Sequence, residues 1–209
     1  LTLLDWLLRS DSFPARHVRF EGPFRHVAQR ELELVVRDAV RGNFLMLNLD
    51  AVREQVETIP WVYQAAVRRA WPRDIVVQFV EQRLVARWGA NAWVNHVGEV
   101  VKVEDPEQGE TLVRLDGPDG TSGQALERYR RLVQILEPTG LEIRRLVLSP
   151  RRTWRIELDN GLTLVLDRSE PEQKLQRFAR VYAQTLAPVA ASVRQVDLRY
   201  ANGFAVTWL

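Results

Sequence analysis

Between Val196 and Trp208 apolar side chains return at every second position. Val196, Leu198, Tyr200, Phe204, Val206 and Trp208 share one parity, and Asp197, Arg199, Ala201, Gly203, Ala205 and Thr207 share the other. Period two belongs to a half-buried strand, because successive side chains leave a strand on opposite faces. VDLRYANGFAVTW therefore reads as one long strand. A long apolar strand at the rim of a sheet presents unpaired N–H and C=O groups that recruit other strands, so the fold must pair, cover or use this edge.

The same periodicity recurs upstream. In WRIELDNGLTLVL, Trp154, Ile156 and Leu158 alternate, Asn160-Gly161 suits a primed turn, and Leu162, Leu164 and Leu166 alternate back, which predicts a hairpin. WVNHVGEVVKV predicts a second hairpin turning at Gly98, followed by the polar loop DPEQGE. Two helices interrupt these strands. One follows GPDGTSGQ, with Thr121 or Ser122 as N-cap, and carries Leu126, Tyr129, Leu132, Val133 and Leu136 on one side until Pro138 and Gly140 end it. The other opens with a capping box, Ser169 and Glu172, and carries Leu175, Phe178 and Tyr182. The order expected after Trp88 is strand, strand, helix, strand, strand, strand, helix, strand, an antiparallel-rich α+β domain.

Residues 18–85 show a different rhythm. VRF is a short strand and EGP a turn. Leu32, Val35, Val36 and Ala39 then mark a helix stopped by Gly42. A second helix bears Val52, Val56 and Ile59, with Asn48 or Asp50 as N-cap, and ends at Pro60. QAAVRRAW and IVVQFVEQ flank Pro72, Arg73 and Asp74 as a hairpin. Together these make a three-stranded sheet with two helices on one face.

Chemistry is harder to find. Net charge is only +2, which gives no large field for phosphates. The 29 basic residues include just two lysines, Lys102 and Lys174. No cysteine is present, so disulfides, thiolate catalysis and cysteine-bound metals are excluded. His17, His26 and His96 lack metal-ligand spacing, and no serine lies in a GxSxG or SxxK setting. The glycines of GPDGTSGQ fit neither a Walker loop nor a dinucleotide fingerprint. Trp71, Trp88, Trp93 and Trp154 neighbour arginines, but their strand positions assign them to core packing rather than to nucleic acid. No cofactor, metal or small-molecule substrate is expected. The apolar opening LTLLDWLL is too short to span a bilayer and reads as the exit of a membrane helix or an amphipathic lead-in.

FPARHVRFEGPFRHV, LDAVREQVETIPWV, VRRAWPRDIVVQFVEQRLVARW, WVNHVGEV, LVRLDGPDG, RRTWRIELDNGLTLVL and VDLRYANGFAVTW, in that order, resemble the FtsQ (DivIB) family of bacterial cell-division proteins over residues 14–209. The resemblance implies residues 1–15 as the end of a transmembrane helix and linker. It implies a POTRA domain over 16–87, with strand-helix-helix-strand-strand order, and an FtsQ-type β domain with helices packed on it over 88–209. It further implies a short cytoplasmic tail and one membrane helix ahead of Leu1, which would place this region in the periplasm at the division site.

By the same resemblance the protein is a non-enzymatic divisome scaffold. It would join early and late division proteins, meet some through the POTRA domain, and bind the periplasmic segment of FtsB, itself joined to FtsL. In the family that segment adds a strand to the terminal β-strand while an arginine grips a preceding short helix. The matching positions are Arg199, Tyr200, Asn202, Gly203 and Trp208 in the terminal strand and Arg151 in SPRRTW, with Arg152 as the neighbouring alternative for the grip. A mid-strand Gly203 would leave room for a partner side chain or allow a bulge. Tyr200 and Trp208 would project from one face as anchors, or else plug the core. Two other readings remain: a POTRA-bearing adaptor of outer-membrane assembly or secretion, and an enzyme acting on peptidoglycan. The second domain argues against the former, and the lack of a nucleophile or metal set against the latter.

Overall fold

The computed structural model describes residues 14–104, 111–200 and 203–209. LTLLDWLL, DPEQGE and Asn202 lie outside the described residues. The chain divides into two units between Arg83 and Leu84. That division precedes the expected break after Arg87, because Leu84–Trp88 is a strand of the second sheet rather than the tail of the first.

The first unit runs β1 (His17–Glu21), α1 (Gln29–Val36), α2 (Leu49–Glu57), β2 (Val62–Ala70) and β3 (Asp74–Glu81). This is the strand-helix-helix-strand-strand order read from the sequence. β3 is central, parallel to β1 and antiparallel to β2. Leu32 and Val36 of α1 and Val52 and Val56 of α2, spaced to share a face, are buried against Ile75, Val77 and Phe79 of β3. Asn48, not Asp50, caps α2, its side-chain oxygen accepting from the amides of Asp50 at 3.1 Å and Ala51 at 3.2 Å. α1 stops at Val36 and gives way to turns well before Gly42; adjacent β-branched Val35 and Val36 followed by Asp38 weaken its propagation. Trp71, expected in the core, is 82% exposed because it lies in the hairpin turn past Ala70, the last paired residue of β2.

The second unit contains β4 (Leu84–Trp88), β5 (Ala92–Asn95), β6 (Val100–Val101), β7 (Arg114–Asp116), α3 (Ser122–Leu136), β8 (Ile143–Leu148), β9 (Trp154–Leu158), β10 (Thr163–Leu166), α4 (Pro171–Thr185), β11 (Val193–Asp197) and β12 (Ala205–Trp208). One sheet carries every strand, in the order β12-β11-β10-β9-β8-β7-β4-β5-β6. Pairing is parallel at β4–β7, β7–β8 and β10–β11 and antiparallel elsewhere, so the α+β reading holds with a mixed sheet. Leu115, Leu146, Ile156, Leu164 and Val196 alternate onto one face and pack against Leu126, Leu132 and Leu136 of α3 and Leu175 and Phe178 of α4. Val133, assigned to the same side of α3, is instead half-exposed.

Three local expectations are corrected. The loop at Asn160-Gly161 is not a two-residue primed turn. Leu158 and Leu162 close a three-residue loop in which Gly161 alone is left-handed, at φ +85°, and Gly161 N–H returns to Leu158 O at 3.1 Å. The capping box at Ser169 does not form. Glu170 precedes α4 at φ +50°, Pro171 starts the helix, and the Glu172 carboxylate pairs across to Arg128 of α3. Most consequential, the stretch from Val196 to Trp208 is two strands rather than one: β11 and β12 are antiparallel neighbours joined through residues 198–204.

Candidate functional site

β11 is hydrogen-bonded on both flanks, to β10 and β12, whereas β12 is one of the two edge strands of this sheet, with β6 at the other rim, and among the described residues it pairs only with β11. Within the final stretch, the open edge therefore belongs to Ala205–Trp208 rather than to β11. Leu209 N–H donates to Ser192 O at 2.9 Å, so odd-numbered residues here address β11. Antiparallel alternation then turns the N–H and C=O groups of Val206 and Trp208 outward. The side chains of Phe204 and Val206 pack on the core, which anchors the strand from below and leaves its outer backbone accessible.

Tyr200 is 58% exposed and Trp208 56%, so neither plugs the core. They do not share one strand face, however: Tyr200 belongs to the 198–204 connection, while Trp208 faces Val193 at the far end of β12. Four strand residues span about 10 Å, which sets the length over which the edge can pair. Gly203 is likewise not in mid-strand. A Cβ built there meets nothing within 4 Å, and the ladder's irregularity falls between Val193 and Gln195 rather than at Gly203.

Arg199 is committed within the chain. Its Nε lies 2.9 and 3.0 Å from the two Asp197 carboxylate oxygens, its Nη2 lies 2.5 Å from Oδ2, and its amide also donates to Asp197. These Arg199 hydrogen bonds hold Asp197 below its ordinary carboxylate pKa, against the opposing effect of burial. Half of the Arg199 side chain remains exposed, so an incoming carboxylate would share it with Asp197.

Arg151 lies in the β8–β9 turn, exposed, and makes no side-chain hydrogen bond or ion pair among the described residues. Arg152, in contrast, adopts φ +62°, donates its amide to Ser149 O, and sets its guanidinium on Gln124 at 3.2 Å. Register fixes where this turn stands. Trp154 opposes Leu166, Val165 opposes Asp197, and Asp197 opposes Ala205, so Arg151 and the 198–204 connection occupy the same end of the sheet. Three strand spacings, about 14 Å, separate β9 from β12.

Sequence reading missed Lys174. Its buried ammonium reaches both Asp167 oxygens at 2.8 Å and the Arg199 carbonyl at 3.0 Å. The available signal was its rarity in a chain that otherwise uses arginine. Beside it a groove of about 380 Å³ runs between α4 and the 198–204 connection, lined by Arg177, Arg180, Val181, Leu198 and Phe204. No group of three or more potential metal ligands converges among the described residues.

Comparison with known proteins follows the two units. Residues 13–82 match the model of the FtsQ-type POTRA domain, and residues 86–199 match that of the C-terminal region of the cell division protein FtsQ/DivIB. The chain is 33% identical over 206 residues to cell division protein FtsQ of Shewanella oneidensis, covering 99% of this chain and 78% of the relative. It is 34% identical over 207 residues to the Vibrio cholerae protein of the same name, covering 98% and 79%. Against the Xanthomonas campestris protein the identity is 32% over 206 residues, covering 99% and 74%.

Proposed function

Because this chain belongs to the FtsQ/DivIB family of cell division proteins, we propose that it is a non-enzymatic scaffold of the divisome, standing in the periplasm on a membrane anchor. Its partner is the periplasmic segment of FtsB, with FtsL, received as an added strand on the outer flank of β12. The observation that supports this most is the open backbone of Val206 and Trp208 beside the exposed rings of Tyr200 and Trp208. Strand addition uses main-chain hydrogen bonds for affinity and alternate side chains for selectivity.

Arg151 is an exposed, uncommitted cation at that end of the sheet, and it grips an acidic residue of the helix that precedes the partner strand. Arg199, with Asp197 at its back, takes a second carboxylate. The open space at Gly203 admits a partner side chain. Asn202 is assigned to the same contact. Other division proteins meet the POTRA unit. A single short strand ordered on binding buries no more than a standard interface of about 1,600 Å², so affinity should lie around micromolar.

The test is a synthetic peptide of the FtsB periplasmic segment titrated against the chain, with amide hydrogen exchange read residue by residue. Saturating peptide should protect the Val206 and Trp208 amides, which face away from β11. Unchanged exchange at both would refute strand addition even if the peptide binds elsewhere.

A further inference from the structure

Lys174 is placed where an exposed cation has no reason to be. Its side chain is 8% exposed, on the first turn of α4, and it is one of two lysines among 29 basic residues. An ammonium carries three donors, and three acceptors meet it: Asp167 Oδ1 and Oδ2 at 2.8 Å each, and Arg199 O at 3.0 Å. A guanidinium is a planar fork and suits bidentate carboxylates better than a compact three-way point, so the shape of this pocket accounts for lysine where arginine is the habit. Asp167 is itself steadied by the Ser169 amide at 3.2 Å.

The far end of this contact is the connection that leads to β12. Leu198 closes β11 with its amide on Val165 O at 2.8 Å and its side chain in the core. One residue later the Arg199 carbonyl is caught by Lys174 and the Arg199 guanidinium by Asp197. The chain then passes Tyr200 and Gly203 before Phe204 returns to the core. The bond from Lys174 is thus a tie between α4 and the segment that presents the docking side chains.

We propose that Lys174 is a positioning residue of the docking edge: with Asp167 it fixes the Arg199 backbone, so that Tyr200 and the start of β12 stand ready for the incoming strand before it arrives. This rests on the docking reading above. A segment already held in its bound conformation loses less freedom on association, and a loosened one binds more weakly for the same contacts.

Two variants and one control test it. Lys174→Met removes the tie but leaves the half-buried Asp167 carboxylate without its cation, which can unsettle the fold by itself. Asp167→Asn with Lys174→Met removes both charges together. Leu132→Ala opens a cavity in the core on α3, away from the connection, and supplies a destabilised control. Both Lys174 variants should weaken the FtsB-type peptide by about tenfold, from the ordering of a released connection. They should speed amide exchange at Arg199, Tyr200 and Gly203–Val206 while the β8–β9 ladder keeps its protection. Leu132→Ala should lower Tm yet leave the dissociation constant within about threefold of wild type, as expected for separated sites. The tie is refuted if the double variant binds like wild type or exchanges like wild type in that connection. If wild type fails to bind the peptide, the docking reading falls alone, and exchange in the free chain still decides whether Lys174 holds the connection.

Discussion

Truncating Tyr200 to alanine separates a docking role from a packing role. The ring is 58% exposed and is not part of the buried core of its unit. Taking about 200 Å² for a tyrosine side chain, roughly 115 Å² remains for a partner to cover. At about 25 cal/mol per Å² that is near 3 kcal/mol at full coverage. Immobilising the side chain costs about 1 kcal/mol, leaving about 2 kcal/mol for the docked ring. The dissociation constant of the FtsB peptide should therefore rise about 30-fold in Tyr200→Ala. Titration calorimetry reads the affinity, and circular dichroism checks that the thermal midpoint is nearly that of wild type. An affinity within about threefold of wild type, less than 1 kcal/mol, would show that the ring contributes nothing to docking. Loss of the folded signal would show instead that Tyr200 supports the fold.

Arg151→Glu should abolish binding measurable by the same titration, whereas Arg152→Gln, which loses a contact to Gln124 only, should leave it nearly intact; raising salt should weaken the wild-type complex through the Arg151 pair. In the first unit, Glu81 accepts from the amides of Arg25, His26 and Val27 at 2.8, 3.0 and 3.1 Å and meets His26 Nδ1 at 3.0 Å. Burial pushes its carboxyl up, but these hydrogen bonds outweigh it and hold the pKa below the ordinary 4.5. A depressed folded pKa means that the stabilisation is present above the unfolded value and lost as pH falls through the folded one. Glu81→Gln should lower stability by about 1–3 kcal/mol at neutral pH and flatten the acid limb of Tm measured from pH 6 downward. Gly98→Ala should destabilise the second unit by more than about 1 kcal/mol in urea titration, because φ is +96° and the new Cβ would stand 2.8 Å from Gly123 Cα.

Much of the fold was legible because its rules are local. Asn48 lies just ahead of Val52 and Val56, and a cap followed by a buried stripe needs no information beyond one turn of helix. Trp154, Ile156 and Leu158 alternate into the core as read, and so do Leu162, Leu164 and Leu166. Failures occurred where a distant group competed. Glu172 suits a capping box, but Arg128 on α3 takes its carboxylate. Trp71 looks like a strand residue, yet the hairpin ends one residue earlier. Leu84–Trp88 reads as the tail of the POTRA unit until β5 and β7 pair with it.

The site divides the same way. Tyr200 and Trp208, which the resemblance marks as partner contacts, are exposed, whereas the Arg199–Asp197 pair and the Lys174 tie had no sequence signal strong enough to act on. Sequence alone determined that β-structure would lie at both ends of the final stretch, since period two is a property of the strand itself; of the parity set, Val196, Leu198, Phe204 and Val206 reach the core, while Tyr200 and Trp208 do not. Only tertiary structure decided that the stretch folds back on itself, that β10 closes the inner flank, and that four residues of β12 keep an outer one. β12 pairs with β11 only 8 to 15 residues away, but β10, which closes the inner flank of β11, lies 32 residues before its partners, and no local pattern encodes that pairing.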